Sequence, residues 1–404
     1  MQAGRPVSDA VSDAVSDAVS DAATRVSSRR FIDAMTARGF GPWLGVPCSF
    51  LRPFIDYVID RDDLDYVAST NEGEALAMAV GAQLAGRQPV VMLQNSGLGN
   101  LVNPLASLTY PFRAPVLLII TLRGDPGLRD EPQHELMGRA TRALLDVLEV
   151  ENEWFPASDA EIEPRIDHAL ARMRETGLPY ALILRKNVVD GYDPRPRTDP
   201  PPRPRGTLHP AAARGEKLTR RDAVALLAEL AGGATAIVAT TGKTGRELFE
   251  FRDRSTHFYV VGSMGCASSI ALGVARYQDA PVMVLDGDGA ALMRLEALAG
   301  IGHAAPPRLI HVILDNQSYD STGGQATISG SVNFPEIAIA CGYASACSVT
   351  GAEAMRAALL RAQSAPGPHL IHIPVSVGAA AGLGRPDVAP RDVAARFRAA
   401  LAAL

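Results

Sequence analysis

The apolar and polar positions along the chain form two halves that repeat one theme. Short β-branched or aliphatic runs occur at Pro89–Leu93, Val116–Thr121 and Tyr180–Arg185. They recur at Ala236–Thr240, Phe258–Val261, Val282–Asp286, Leu309–Asp315 and Leu370–Val375. The runs are continuous rather than alternating, as expected for strands of a parallel sheet buried on both faces. Tyr66–Ser69 reads as one more strand. Between the strands, Glu74–Leu84, Arg220–Ala231 and Ala267–Tyr277 are rich in Ala and Leu and read as helices. Strand alternating with helix predicts an α/β fold, with two doubly wound parallel-sheet domains. In such sheets ligands sit at the carboxyl ends of strands.

Two segments break the theme. Val-Ser-Asp-Ala occurs four times in succession from Val7 to Ala22. A four-residue period drifts around a helix and builds no apolar stripe, so residues 1–27 read as a low-complexity tail. Seven prolines lie between Asp190 and Pro210. Proline lacks the N–H donor and fixes φ, so residues 191–216 read as a connector with no helix or sheet ladder. The domains expected are therefore 28–190 and 217–404, with no third domain between them.

Composition narrows the function. The chain has 404 residues, 47% hydrophobic and 21% charged, enough for a large core and unlike a disordered chain. A net charge of -5 argues against nucleic-acid or anionic-membrane partners. No apolar run reaches the roughly 18–20 residues that span a bilayer. The N-terminus lacks the basic and apolar regions of a signal peptide. Cys48, Cys266, Cys341 and Cys347 form no C-x-x-C pair, which disfavours a zinc site or disulfide framework and fits a cytoplasmic location.

The chemistry gathers at strand ends. Val282–Asp286 runs into Gly287-Asp288-Gly289-Ala290, and 28 residues after Asp288 another strand ends in Asp315-Asn316. Asp and Asn oxygens are hard ligands suited to Mg²⁺. Adjacent parallel strands would put Asp288 and Asn316 on one edge, with the Gly289 and Ala290 N–H groups facing an anion. A plain strand-to-helix turn capped by Asp is the structural alternative. Thr241-Gly242-Lys243-Thr244-Gly245 follows another strand but is no P-loop, because Ile237 stands where the upstream glycine belongs. A helix-start turn is the alternative there. Asn71 and Glu74 have capping-box spacing around Glu72.

The Gly-Asp-Gly and Asn pair resembles the diphosphate-and-metal motif of thiamine-diphosphate enzymes. Further resemblances cover nearly the whole folded chain. Asn71-Glu72-Gly73-Glu74-Ala75 is similar to the N-E-x-x-A pattern of the family's decarboxylases, which implies that Glu72 is the activating, catalytic glutamate. Gly262-Ser263-Met264-Gly265 resembles the segment that holds the aminopyrimidine, with Met264 as the wedge between the rings. The resemblance assigns Gly242, Lys243, Thr244, Gly262, Ser263, Met264, Gly287, Asp288, Gly289, Ala290 and Asn316 to thiamine diphosphate. It assigns Asp288, Asn316 and the main-chain carbonyl of Ser318 to Mg²⁺.

A pyrimidine-binding half followed directly by a diphosphate-binding half resembles the phosphonopyruvate decarboxylase family. So do the runs Gly45–Leu51, Gln94–Asn100, Arg123–Gly127, Asp130–His134 and Asp320–Gln325. The implied activity is decarboxylation of 3-phosphonopyruvate to phosphonoacetaldehyde through the cofactor's ylid, within phosphonate and antibiotic biosynthesis. Sulfopyruvate decarboxylases share much of the pattern but are usually split, so a single chain favours the phosphonate. A non-catalytic cofactor-binding subunit is a further alternative. Ser49, Asn95, Ser96, Arg123, Arg129, His134 and Tyr319 are the candidates for substrate contact. Tyr319 stands where the family pattern has His. The resemblance also implies a homodimer or larger assembly with active sites between subunits.

Overall fold

The computed structural model describes residues 25–197, 204–380 and 382–404. The Val-Ser-Asp-Ala repeat lies outside them. The first half holds β1 (Phe40–Gly45), β2 (Tyr66–Ala68), β3 (Gln88–Gln94), β4 (Leu117–Thr121), β5 (Glu151–Trp154) and β6 (Tyr180–Leu184). All pair in parallel, in the order β2-β1-β3-β4-β6-β5. The chain runs outward from β1 to β2 and then returns to β3, so the winding direction switches between β1 and β3.

The second half contains β7 (Thr207–Leu208), β8 (Ala212–Ala213), β9 (Ala236–Ala239), β10 (His257–Tyr259), β11 (Val282–Gly287) and β12 (Leu309–Asp315). A small antiparallel pair, β13 (Ser318–Tyr319) and β14 (Gln325–Ala326), follows, then β15 (Ser345–Thr350) and β16 (His369–Pro374). The main sheet is parallel, ordered β10-β9-β11-β12-β16-β15-β7, with β8 also on β15. Its switch lies between β9 and β11.

The connector departs from expectation. β7 and β8 fall inside residues 191–216, and the main chain of Thr207 and His209 donates to Ala344 and Ala346. Pro204 and Pro210 flank a short proline-free stretch, which leaves the N–H donors that a ladder needs. Upstream, Arg195 N and Tyr192 Oη both donate to Asp60, at 2.7 and 3.0 Å. The tail also ends earlier than expected. Val26 is fully buried and bridges Val189, and Ser27 caps the Ser28–Ala37 helix.

Two glycines set how the halves meet. The Glu72–Leu84 helix of the first half packs on the Ala267–Tyr277 helix of the second. A β-carbon on Gly81 would lie 2.1 Å from the Ile270 carbonyl, and one on Gly273 would lie 2.1 Å from the Met78 carbonyl. Backbone therefore touches backbone. One continuous apolar core runs from Leu44 and Val91 through this contact to Ile313 and Phe397. All thirteen residues of the Glu72–Leu84 helix are buried, so it is covered on every side rather than on one stripe.

Candidate active site

The candidate chemistry collects at the two switch points, as the doubly wound architecture requires. At the first, the loops after β1, β3 and β4 converge. Cys48 Sγ lies 3.4 Å from both Gln94 Oε1 and Thr121 Oγ1. The loop after β3 carries Gly97 against Glu72 at the start of its helix. The Asn71 side chain caps that helix by accepting from Glu74 N at 3.0 Å. Glu74 turns back and accepts from Thr70 N at 2.8 Å. Burial holds its carboxyl above the ordinary value, and the Thr70 hydrogen bonds oppose the rise. Glu74 is thus occupied in the turn, while Glu72 faces the loop. Glu72 Oε2 accepts from Asn100 Nδ2 at 2.7 Å.

At the second switch, β11 and β12 lie side by side with Gly287 paired to Leu314. Asp288 and Asn316 follow these strands and share one edge. Asp288 is 3% exposed, and its Oδ2 accepts from Thr327 Oγ1 at 2.5 Å. Burial, together with the Asp315 charge, keeps its carboxyl above the ordinary value. Burial alone would raise Asp315 too, but hydrogen bonds from His372 and Ser329 bring it below its usual range.

Several features fit a bound diphosphate and cation. A β-carbon on Gly287 would meet nothing within 4 Å. Thr240 Oγ1 and Ser318 Oγ are buried without hydrogen-bond partners. Gly242 precedes the Lys243–Phe251 helix at φ +98°, and no side chain caps that helix. Among the described residues the Lys243 side chain makes no ion pair or hydrogen bond. Unpaired N–H groups and an unpaired cation at a helix start suit an anion. Among the described residues no three His, Cys, Asp or Glu side chains converge on a point. The available set is one carboxylate, one amide and main-chain carbonyls, with room for oxygens from a ligand. That set suits Mg²⁺, which is bound through few carboxylates plus phosphate and water.

The second half meets the first across the Gly262–Gly265 loop. Ser107 Oγ accepts from Ser263 N at 2.9 Å and lies 2.8 Å from Ser263 Oγ. A β-carbon on Gly262 would sit 2.6 Å from Ser107 Cβ. Arg294 Nη1 donates to Asn71 Oδ1 at 2.6 Å, and Asn71 Nδ2 donates to Glu296 at 2.5 Å. Arg294 also packs against Gly73 and Gly265. Within this one chain, then, the Glu72 end of the first half faces the Met264 loop of the second. The two halves thus meet inside one chain.

The substrate candidates separate. Asn95 is fully buried, and its amide bonds Arg123 O, Arg123 N and Thr141 Oγ1. Both its N–H donors are engaged, so it braces the Arg123 loop and has none left for a ligand. Arg123 pairs with Asp130 and stacks over Phe50 at 4.9 Å. Ser49, Ser96 and Arg129 are exposed, whereas His134 is buried with Nδ1 unpartnered. Tyr319 is elsewhere: a β-carbon on Gly289 would lie 2.3 Å from its ring, so it covers the Gly-Asp-Gly turn. Ser107, Arg294 and Thr327 were absent from the sequence candidates, because nothing local marks them. Asn100 lay inside a recognised run but had no assigned role.

Residues 27–142 match the family described as thiamine pyrophosphate enzyme, N-terminal TPP binding domain, and residues 238–373 match its C-terminal TPP binding domain. The chain is 43% identical over 379 residues to a phosphonopyruvate decarboxylase of Streptomyces viridochromogenes, covering 93% of this chain and 94% of that protein. It is 28% identical over 391 residues to a sulfopyruvate decarboxylase of Methanosarcina acetivorans, covering 92% and 97%. That relative spans both halves, so a single chain does not separate the two substrates, contrary to expectation. A solved thiamin diphosphate-dependent enzyme from Mycobacterium smegmatis superposes with a TM-score of 0.67 at 16% identity, over 87% of this chain and 100% of that one. No helix among the described residues is long and apolar enough to cross a membrane. The chain belongs to the phosphonopyruvate decarboxylase family of thiamine-diphosphate-dependent enzymes.

Proposed function

We propose that this chain decarboxylates 3-phosphonopyruvate to phosphonoacetaldehyde and CO₂, with thiamine diphosphate and Mg²⁺, in the cytoplasm and in phosphonate natural-product biosynthesis. The observation that carries the substrate is the 43% identity to a phosphonopyruvate decarboxylase across 93% of the chain, against 28% to the sulfopyruvate enzyme. When bound, the cofactor supplies a carbon nucleophile and an electron sink for the departing carboxylate.

The chain's own residues have distinct tasks in this reading. Asp288, Asn316 and the Ser318 carbonyl hold the cation. Thr240, Thr241, Lys243 and the open start of the Lys243–Phe251 helix hold the diphosphate. Gly262, Ser263 and Met264 hold the aminopyrimidine, pressed from the other side by Ser107. Glu72 carries the proton exchanged with the pyrimidine ring nitrogen, and the Asn100 hydrogen bond fixes which oxygen does so. The phosphonate is met at the rim of the first switch point by Ser49, Ser96, Arg123, Arg129 and His134. Asn95 is left out, and Tyr319 acts at the diphosphate turn. Assembly as a homodimer or larger stays within the proposal.

The test is a paired turnover assay with 3-phosphonopyruvate and 3-sulfopyruvate, following CO₂ and aldehyde. A higher kcat/KM on the phosphonate is expected. A higher value on the sulfonate would keep the mechanism and replace the substrate.

A further inference from the structure

Two loops that meet at the second switch point come from distant parts of the chain, Thr240–Thr244 and Asn316–Gln325. One buried cation ties them together. Arg220 opens the Arg220–Ala231 helix and is 6% exposed. Its Nε and Nη2 donate to the two Glu247 oxygens at 2.9 and 3.1 Å. Its Nη1 donates to Asp320 Oδ2 at 2.8 Å, and Nη2 also reaches the Gly378 carbonyl at 3.5 Å. Glu247 stands one turn beyond Lys243 on the same helix. Asp320 Oδ2 in turn accepts from Asn316 Nδ2 at 2.8 Å.

We propose that Arg220 is a positioning residue for the metal and diphosphate site. This rests on the reading of Asn316 as a metal ligand and Thr241–Thr244 as the diphosphate loop. Stability alone gives little reason for the arrangement. A cation in the first turn of a helix opposes the helix dipole, and a buried ion group is often no more stabilising than apolar packing. The geometry, however, does one thing apolar packing cannot. A carboxylate only accepts, so Asp320 must face the Asn316 amide nitrogen, which leaves Oδ1 as the oxygen available to a cation. Oδ1 accepts one hydrogen bond, from Ser318 N at 3.1 Å, and keeps a second lone pair. Arg220 keeps Asp320 in place and, through Glu247, fixes the helix that begins at Lys243. Both sets of diphosphate contacts are then held in one register.

The test is calorimetric titration of thiamine diphosphate into the apoprotein over a series of Mg²⁺ concentrations. Arg220→Met and Asp320→Asn are compared with the parent, with thermal melts alongside. Partners that orient metal ligands are typically worth about 10–100-fold in affinity. The Mg²⁺-dependent Kd is expected to rise by about that factor in both variants, and kcat at saturating cofactor to fall much less. Asp320→Asn retains the Arg220–Glu247 pair and is the variant expected to melt near the parent. An unchanged Kd in folded Asp320→Asn overturns the proposal, whatever Arg220→Met does. A parent protein whose cofactor binding ignores Mg²⁺ overturns both the proposal and the metal reading beneath it.

Discussion

Gly97 stands directly over the carboxyl of Glu72: a β-carbon there would lie 2.1 Å from Oε1 and 2.2 Å from Cδ. The glycine has an ordinary backbone conformation, so its role is space rather than φ. The loop after β3 thereby closes onto the glutamate without moving it. Misplacing a reacting group by about 1 Å can cost roughly 100-fold in rate. Gly97→Ala is expected to lower kcat by about that factor, with an unchanged circular dichroism spectrum and nearly unchanged Kd for thiamine diphosphate. Parent-like turnover would mean that the Glu72 position does not matter.

Asp288 tests the cation site from the apo side. Its carboxyl is buried, raised above its ordinary value and supported mainly by Thr327. Removing the charge should cost the apoprotein little. Ligand binding to the native state raises the melting temperature by mass action. Asp288→Asn is therefore expected to melt close to the parent without ligands, while the rise on adding thiamine diphosphate and Mg²⁺ disappears. A full rise in the variant would place the cation elsewhere.

His257 predicts a pH dependence of stability. It is fully buried on β10, 3.3 Å from Tyr259 Oη, and burial pushes its pKa down from 6.5 to about 4. The folded state favours the neutral ring, so below 6.5 the unfolded chain binds the extra proton. This contribution is complete above that pH and is lost as pH falls toward about 4. By pH 5 the loss is about 2 kcal/mol, from ~1.4 kcal/mol per unit. Urea midpoints for parent and His257→Gln should converge as pH drops from 7 to 5. Parallel curves would contradict the assignment.

How far the sequence reached depended on where each signal lies. Arg220–Ala231, Ala267–Tyr277 and Leu309–Asp315 match the observed elements residue for residue, because apolar periodicity and caps are local. The helix expected from Glu74 starts at Glu72, since Asn71 is its cap. Besides the two-residue strands β7, β8, β13 and β14, three strands escaped notice. Phe40–Gly45 is broken up by two Gly and a Pro, Glu151–Trp154 is a polar edge strand, and Ser345–Thr350 is half polar. In the site, Asp288 and Asn316 were legible because strand ends carry them. Arg220, Ser107 and Arg294 were not, because their partners lie about 30 to 220 residues away in sequence and only the folded chain joins them. Asn95 shows the converse: its residue type suggested a ligand contact, and its burial assigned it to the frame.

The most direct test concerns Glu72. Parent and Glu72→Gln proteins are loaded with thiamine diphosphate and Mg²⁺, cofactor occupancy is measured, and CO₂ release from 3-phosphonopyruvate is followed. Positioned proton transfer contributes roughly 100- to 10,000-fold. The account predicts that both proteins fill with cofactor and that Glu72→Gln releases CO₂ at least about 100-fold more slowly. Near-parent turnover by a fully loaded Glu72→Gln protein would contradict it.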